Sequence, residues 1–263
     1  MKSKIVEKIK LNKKYSGICD EVVLQEIENC LKKNKDFSEE ELIKEVRRRL
    51  HLSYASFQTR GKKKIKKYFE LLKKGEDVAD DLLSVNLSTK ERLENYDEIY
   101  FWIFSLIKKP KIIVDLGGGF NVFSFPYMRL KNVKYFTYDI NEDDVELLNK
   151  YYELMVNKGL IGNASILDVR DFDKIRKLLK CDVIFLFKVL DVLDVDGHKT
   201  SEELIVKLFK KTKFVVVSFA IKTLTGKRMN YPNRKWFELL CVRRNWKFEK
   251  KEFGNEIFYV VKN

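Results

Sequence analysis

Histidine and cysteine are scarce and scattered. His51 and His198 lack metal-ligand spacing, and Cys19, Cys30, Cys181 and Cys241 form no C-x-x-C pair. Neither a metal site nor a disulfide framework is expected, and the thiols are expected to be reduced. No uncharged apolar stretch approaches the roughly 18 residues of a membrane span. The first residues are spaced lysines rather than an apolar run, so no membrane segment or secretory leader is expected, which points to the cytoplasm. Only three prolines punctuate 263 residues, and no internal repeat or low-complexity linker interrupts them. What is abundant is apolar content and basic charge. The 45% hydrophobic residues are enough for a real core and argue against disorder. Lys and Arg number 53 against 39 Asp and Glu, a net charge of +14, which points to a densely negative partner.

Residues 1–84 contain no strand-like run. Apolar residues recur there at helical spacing, as in Val22, Val23, Ile27 and Leu31, then Leu42, Ile43, Val46 and Leu50. Charge is uneven within this region. Arg60, Lys62, Lys63, Lys64, Lys66, Lys67, Lys73 and Lys74 stand against Glu70 alone, which is either a solvated helix face or a phosphate-binding surface. Ser88 and Glu91 have the spacing of a helix capping box. That spacing predicts a helix starting there, with Tyr96, Ile99, Tyr100, Ile103, Phe104 and Ile107 on one face and Pro110 ending it.

From Lys111 onward, short β-branched and aromatic runs at 112–116, 135–140, 164–169, 183–187 and 214–219 alternate with helix-length intervals. This is the pattern of a parallel sheet with helices on both faces. A helix at 236–242 and a hairpin, 247–253 with 256–261 about Gly254-Asn255, close the chain. The expected division is a basic helical domain over 1–84 and an α/β domain over 85–263 with a terminal antiparallel hairpin.

Val114-Asp115-Leu116-Gly117-Gly118-Gly119-Phe120-Asn121 directly follows the first strand. Glycines at such a turn let the backbone bend tightly and approach a ligand that a side chain would block. Val122 stands where a dinucleotide fingerprint has its third glycine, and no Gly-Lys-Ser/Thr follows, so neither a dinucleotide pyrophosphate nor a P-loop phosphate fits well. Asp139 closes the second expected strand, 24 residues after Asp115, and Asp168 closes the third. One acid at a strand end is an ordinary N-cap. Three at successive strand ends beside a glycine turn outline a pocket, because open α/β sheets bind ligands outside those ends.

The Asp115-x-Gly117-x-Gly119 pattern resembles motif I of the S-adenosylmethionine-dependent methyltransferases with a Rossmann-like fold. The resemblance implies S-adenosylmethionine as cofactor. It would be held by Asp115, Gly117, Gly119, Asp139, Ile140, Asp168 and Val169, with Asp139 at the ribose and Asp168 at the adenine amino group. A narrower resemblance covers Val85 to Glu238. Ser88-Thr89-Lys90-Glu91-Arg92-Leu93, then Phe187-Lys188-Val189-Leu190, Ser218-Phe219 with Lys222-Thr223-Leu224-Thr225-Gly226-Lys227, and Asn230-Tyr231 with Trp236-Phe237-Glu238 look, in that order, like segments of the aminoglycoside-resistance-type 16S rRNA (guanine N7) methyltransferases. The chain is identified as a distant member of that family. It departs from the family pattern at Asn86, at Gly117-Gly118-Gly119, at Asp194 and at Ala220, which leaves the cofactor expectation intact and the target nucleotide and physiological purpose open.

That resemblance implies methyl transfer to the N7 of a guanosine in small-subunit rRNA, in the decoding region of the 30S particle. Arg92 would hold the cofactor carboxylate and Lys188 would face the reaction centre as the catalytic residue. Arg60, Lys62, Lys63, Lys64, Lys66 and Lys67, with Lys222, Lys227, Arg228 and Arg234, would contact RNA phosphates. Tyr231 and Trp236 could stack on an extruded base, with core packing the alternative for Trp236. Two other functions remain open on the residues alone: an enzyme of the same fold acting on tRNA, DNA or a small molecule, and a non-catalytic RNA-binding protein.

Overall fold

The computed structural model describes residues 2–53, 62–193, 197–222, 229 and 233–263. Three amphipathic helices open the chain: α1 (Lys2–Lys10), α2 (Asp20–Lys33) and α3 (Glu39–Ser53). A reciprocal cap starts α3, with Ser38 N and Oγ donating to Glu41 Oε2 at 2.9 and 2.8 Å and Glu41 N donating back to Ser38 Oγ at 3.3 Å. The three helices bury Ile5, Ile9, Val22, Val23, Ile27, Val46 and Leu50 in a core of their own, which Ile140 joins from the middle of the sequence.

Helices α4 (Lys62–Lys73) and α5 (Ala79–Leu83) follow. Their apolar residues, Ile65, Phe69, Leu82 and Leu83, are buried in the core of the sheet and not with α1 to α3. The expected boundary at residues 84 and 85 therefore does not coincide with the division between cores, which falls after α3. Periodicity marks a helix as amphipathic without saying which partner receives its apolar stripe. Next come α6 (Leu87–Arg92) and α7 (Tyr96–Ile107), separated by a 3-10 turn at Leu93–Asn95. The expected continuous helix capped by Ser88 is thus corrected. Asn86 is the N-cap, its side chain accepting from Ser88 N at 2.9 Å, and the break after Arg92 coincides with that residue's burial against Glu256.

The sheet contains β1 (Ile112–Leu116), β2 (Val133–Asp139), β3 (Leu160–Ile166), β4 (Val183–Phe187), β5 (Phe214–Ala220), β6 (Lys247–Phe253) and β7 (Glu256–Lys262), in the order β3-β2-β1-β4-β5-β7-β6. The first five are parallel, and β7 runs antiparallel between β5 and β6. The sheet and its terminal hairpin agree with the expected Rossmann-like architecture. Strand β3 starts earlier than expected and ends at Ile166, so Asp168 lies in the loop beyond it. Gly162 and Asn163, which precede the expected run, belong to this edge strand, in register with Tyr135 and Phe136.

Side chains alternate across the sheet. Ile113, Tyr135, Phe185, Val216 and Phe258 face a core with α4, α5, α7, α8 (Phe125–Met128) and α9 (Glu142–Met155), while Val114, Ile184, Val215, Val217 and Tyr259 face one with α10 (Phe172–Lys177), α11 (Leu190–Leu193), α12 (Lys199–Leu208) and α13 (Lys235–Arg243). The strand order reverses between β1 and β4, which leaves a crevice at their carboxyl ends. The N-terminal helices are joined to that end of the sheet by backbone. Cys19 N donates to Ile140 O at 3.0 Å, Glu142 N donates to Gly17 O at 2.8 Å, and Ile18 bridges Asn141. Among the described residues, no helix is long and apolar enough to cross a membrane.

Candidate active site

The crevice is a cleft lined by the glycine turn, by Asp139, Ile140, Asp168 and Val169, and by Arg92, Lys188 and Ile18. At its floor, Gly117 and Gly119 adopt φ of 62° and 46°. A Cβ on Gly117 would stand 2.8 Å from Val189 Cγ2, so the turn closes only without one. On Gly119 the nearest atom to a Cβ would be Asp139 Oδ2 at 4.0 Å, which shows how open the cradle is beside that acid.

Asp139 is held by three backbone donors: Gly119 N reaches Oδ2 at 3.0 Å, and Ile140 N and Asn141 N reach Oδ1 at 2.7 and 3.1 Å. Its carboxylate stands at the cleft wall, an acceptor of the kind a ligand hydroxyl needs. Asp115 differs from the other two acids. It is fully buried, accepts from Tyr135 Oη at 2.6 Å and Asn121 Nδ2 at 2.9 Å, and supports the turn from beneath rather than lining the cleft. Burial pushes its carboxyl up to about 6, the Tyr135 and Asn121 bonds opposing the shift.

At the β4 end of the cleft stand two cations. The Arg92 guanidinium lies 5.1 Å above the Phe187 ring, and its Nε donates to both Glu256 oxygens at 3.1 and 2.9 Å. Lys188, at φ 60°, has its amide fixed by Ser218 Oγ at 3.1 Å and its ammonium between Glu91 Oε2 at 2.5 Å and Glu256 Oε2 at 3.3 Å. Ser218 Oγ also donates to Glu256. Burial alone would raise the Glu256 pKa, but the neighbouring Arg92 and Lys188 hold it below the usual carboxylate value. Arg92 in turn is raised above its ordinary value because Glu256 outweighs its desolvation.

Asp168 occupies the opposite end. Arg170 Nε reaches both of its oxygens at 3.1 Å, Arg170 Nη2 reaches Oδ2 at 2.7 Å, and Arg170 N reaches Oδ1 at 2.9 Å.

Of the residues expected at the site, Arg92, Gly117, Gly119, Asp139, Ile140, Asp168, Val169 and Lys188 come together around this one cleft. The described RNA candidates do not join it. Lys64, Lys66 and Lys67 are exposed along α4 and Lys222 is exposed after β5. Arg234 is committed to Asp191 at 2.8 Å and to the Ala220 carbonyl at 3.0 Å, and it covers the Phe219 ring. Trp236 is half-buried against the core and stacks on His198 at 4.0 Å between centroids. The readings at Arg60, Asp194, Lys227, Arg228, Asn230 and Tyr231 lie outside the described residues, as do the side chains of Lys62 and Lys63. Sequence reasoning missed Glu256. Its one local signal is an acid opening an otherwise apolar strand.

An adenosyl cofactor fits these residues. The cradle beside Asp139 is open where a ribose would lie, an acid and a cation stand at opposite ends for an amino group and a carboxylate, and Ile18, Ile140 and Val169 supply apolar walls.

Residues 11–260 match the family model described as ribosomal RNA methyltransferase (FmrO). A 16S rRNA (guanine(1405)-N(7))-methyltransferase from Micromonospora rosea is 26% identical, over 83% of this chain and 81% of that one. A protein of the same name from Frankia casuarinae is 25% identical over 98% of this chain and 93% of its own. Among solved structures, the 16S rRNA methyltransferase RmtF with S-adenosyl-L-homocysteine aligns over 100% of this chain and 98% of its own, at a TM-score of 0.82 and 22% identity, and so shares the fold.

Proposed function

Because the chain belongs to the ribosomal RNA methyltransferase family FmrO, we propose that it transfers the methyl group of S-adenosylmethionine to the N7 of a guanosine in 16S rRNA, presented in the decoding region of the 30S particle. The observation that carries the proposal is the cleft, which offers hydrogen-bond acceptors and ion-paired cations but no histidine or cysteine among its described residues. Bound S-adenosylmethionine supplies an electrophilic methyl on a sulfonium sulfur. Guanine N7 already holds an in-plane lone pair, so no proton has to leave before attack, and a pocket without a titrating base suits that nucleophile. The protein's contribution is then orientation.

Asp139 accepts from the ribose hydroxyls and Asp168 from the adenine amino group, while Gly117 and Gly119 let the backbone approach the cofactor. Arg92, its plane fixed by Glu256 and Phe187, meets the carboxylate of the methionine end. Lys188, held between Glu91 and Glu256, borders the space where methyl and base meet. Asp115 supports the turn. The exposed lysines of α4 support an RNA surface that acts through phosphate charge.

The test is to incubate 30S particles with the protein and S-adenosylmethionine, then reduce the rRNA and cleave it with aniline, which breaks the strand at 7-methylguanosine. One cleaved guanosine is expected, and guanine 1405, the position named for the curated relatives, is the first to map. Methyl found on a ribose or an exocyclic amine would overturn the target atom. Equal transfer to tRNA would overturn the target RNA.

A further inference from the structure

An alternating chain of charges leads away from the cleft at its adenine end. Asp168 is clamped by Arg170, whose Nη1 donates to Glu26 on α2, and Glu26 also accepts from Arg49 Nε of α3 at 2.8 Å. Glu26 is almost wholly buried, at 1% exposure, whereas Arg49 and Arg170 side chains keep 14% and 17%. A buried carboxylate persists only with paired partners, and this one has a guanidinium on each side. Burial works against its charge, and Arg170 and Arg49 outweigh that effect, so its pKa lies below the usual value. Beside this chain, Ile18 of the same helical unit forms part of the cleft wall, and the backbone on either side of it is bonded to Ile140 and Glu142. The helices α1 to α3 thus touch the cleft twice, once through an apolar wall and once through charge.

We propose that Glu26 is a positioning residue for adenine recognition: by sharing the Arg170 guanidinium it fixes the angle and keeps the acceptor strength of Asp168, so that the N-terminal helical unit determines which base the cleft accepts. The proposal rests on the reading of Asp168 as the acceptor of the adenine amino group. Two guanidinium nitrogens bond Asp168 while the third points to Glu26. With Glu26 neutral, Arg170 loses the charge-assisted bond that sets its angle, and the carboxylate it grips through two nitrogens shifts with it, out of line with a ligand donor.

The experiment compares calorimetric affinities for S-adenosylhomocysteine and S-inosylhomocysteine, which carries a 6-oxo in place of the 6-amino group. The native protein should prefer the adenosyl compound. Glu26→Gln should weaken adenosyl binding about tenfold and shrink that preference, with inosyl affinity little changed. A merely structural role for Glu26 would weaken both ligands equally or lower only the melting temperature, and either result overturns the proposal. Arg170→Lys keeps the charge, loses the fork and should shrink the preference likewise. It decides the question if Glu26→Gln does not fold. Asp168→Ala, which removes the acceptor, separates the two readings. A preference kept in Asp168→Ala overturns the acceptor assignment and the proposal with it, whereas a preference lost in Asp168→Ala but intact in Glu26→Gln and Arg170→Lys overturns the proposal alone.

Discussion

The two ends of the cleft use the same kinds of charge in opposite order. At the β4 end, cations line the cleft and carboxylates stand behind them, Arg92 and Lys188 backed by Glu256 and Glu91. At the β3 end the carboxylate lines the cleft and the cation stands behind, Asp168 backed by Arg170, with Glu26 and Arg49 beyond. Each group of four sums to zero, which offsets much of the cost of burying it. The sign turned toward the ligand suits each end of an amino-acid nucleoside. The ends differ in wetness and in reach. Arg92 and Glu256 side chains are 4% and 1% exposed and belong to the α/β unit, whereas Arg170 keeps 17% and ties the sheet to α2. A dry pair closed within one core should carry stability, and a wetter one spanning two cores should carry coupling.

The largest effect follows from breaking the dry end. Glu256→Ala leaves Arg92 buried without its carboxylate, and equilibrium urea denaturation should show a loss of about 3–5 kcal/mol. A loss under about 1 kcal/mol would mean that water reaches this pair and that the contrast is false.

Asp115 lies beneath the turn between the ends, and its protonation tests how dry that floor is. Its folded pKa of about 6 exceeds the ordinary 3.8, so the folded state favours the neutral acid. This contribution to stability is full below the lower value and is lost as pH rises through about 6. The stability of Asp115→Asn relative to the native protein should therefore rise by roughly 3 kcal/mol between about pH 4 and pH 7 in parallel denaturant melts.

Asp139→Ala should weaken S-adenosylhomocysteine binding by about 1–3 kcal/mol, read by calorimetry on folded protein, since it removes the acceptor between the two ends. Reversing Lys64, Lys66 and Lys67 to Glu touches neither end. It should weaken 30S binding about tenfold and flatten its salt dependence by about three charges, with cofactor affinity unchanged. An unaltered salt slope would make that face merely solvated.

The smallest effect concerns the helix that delivers Arg92. Asn86→Ala should cost about 1 kcal/mol of stability and Ser88→Ala almost nothing, reversing the order that the S-x-x-E spacing implies.

That last pair shows where sequence reading stops. Ser38 to Glu41 and Ser88 to Glu91 have identical spacing. The first closes a capping box, but the second does not: Asn86 takes the N-cap, Ser88 falls inside the helix, and Glu91 pairs with Lys188, 97 residues away. The glycine turn and the acids after β1 to β3 were legible because strand, turn and acid are neighbours in sequence and strand periodicity is local. The sheet and its terminal hairpin were legible for the same reason. Glu256 pairs with Arg92 over 164 residues, and Glu26 meets Arg170 over 144. No local pattern records either meeting. Asp115 was read as a ligand acid because it shares a motif with residues that line the cleft, and only burial distinguishes a strut from a contact. The region that holds α4 and α5 was read as helical, but which core its helices enter depends on the shapes of both partners.

Gly17 carries a consequence for the order in which the molecule assembles. A Cβ there would meet Asn141 side-chain atoms at 2.8 and 2.9 Å, so the chain passes this point with no room to spare. The contact joins segments about 120 residues apart in sequence, so the loop-closure cost comes due before its bonds can form. The helices α1 to α3 leave the ribosome before the sheet does, yet Ile18 reaches the cleft only after β2 and the turn into α9 exist to receive it. A wall of the pocket made early thus waits for residues made later, and a truncated chain ending before Asn141 has the helices but no place to dock them.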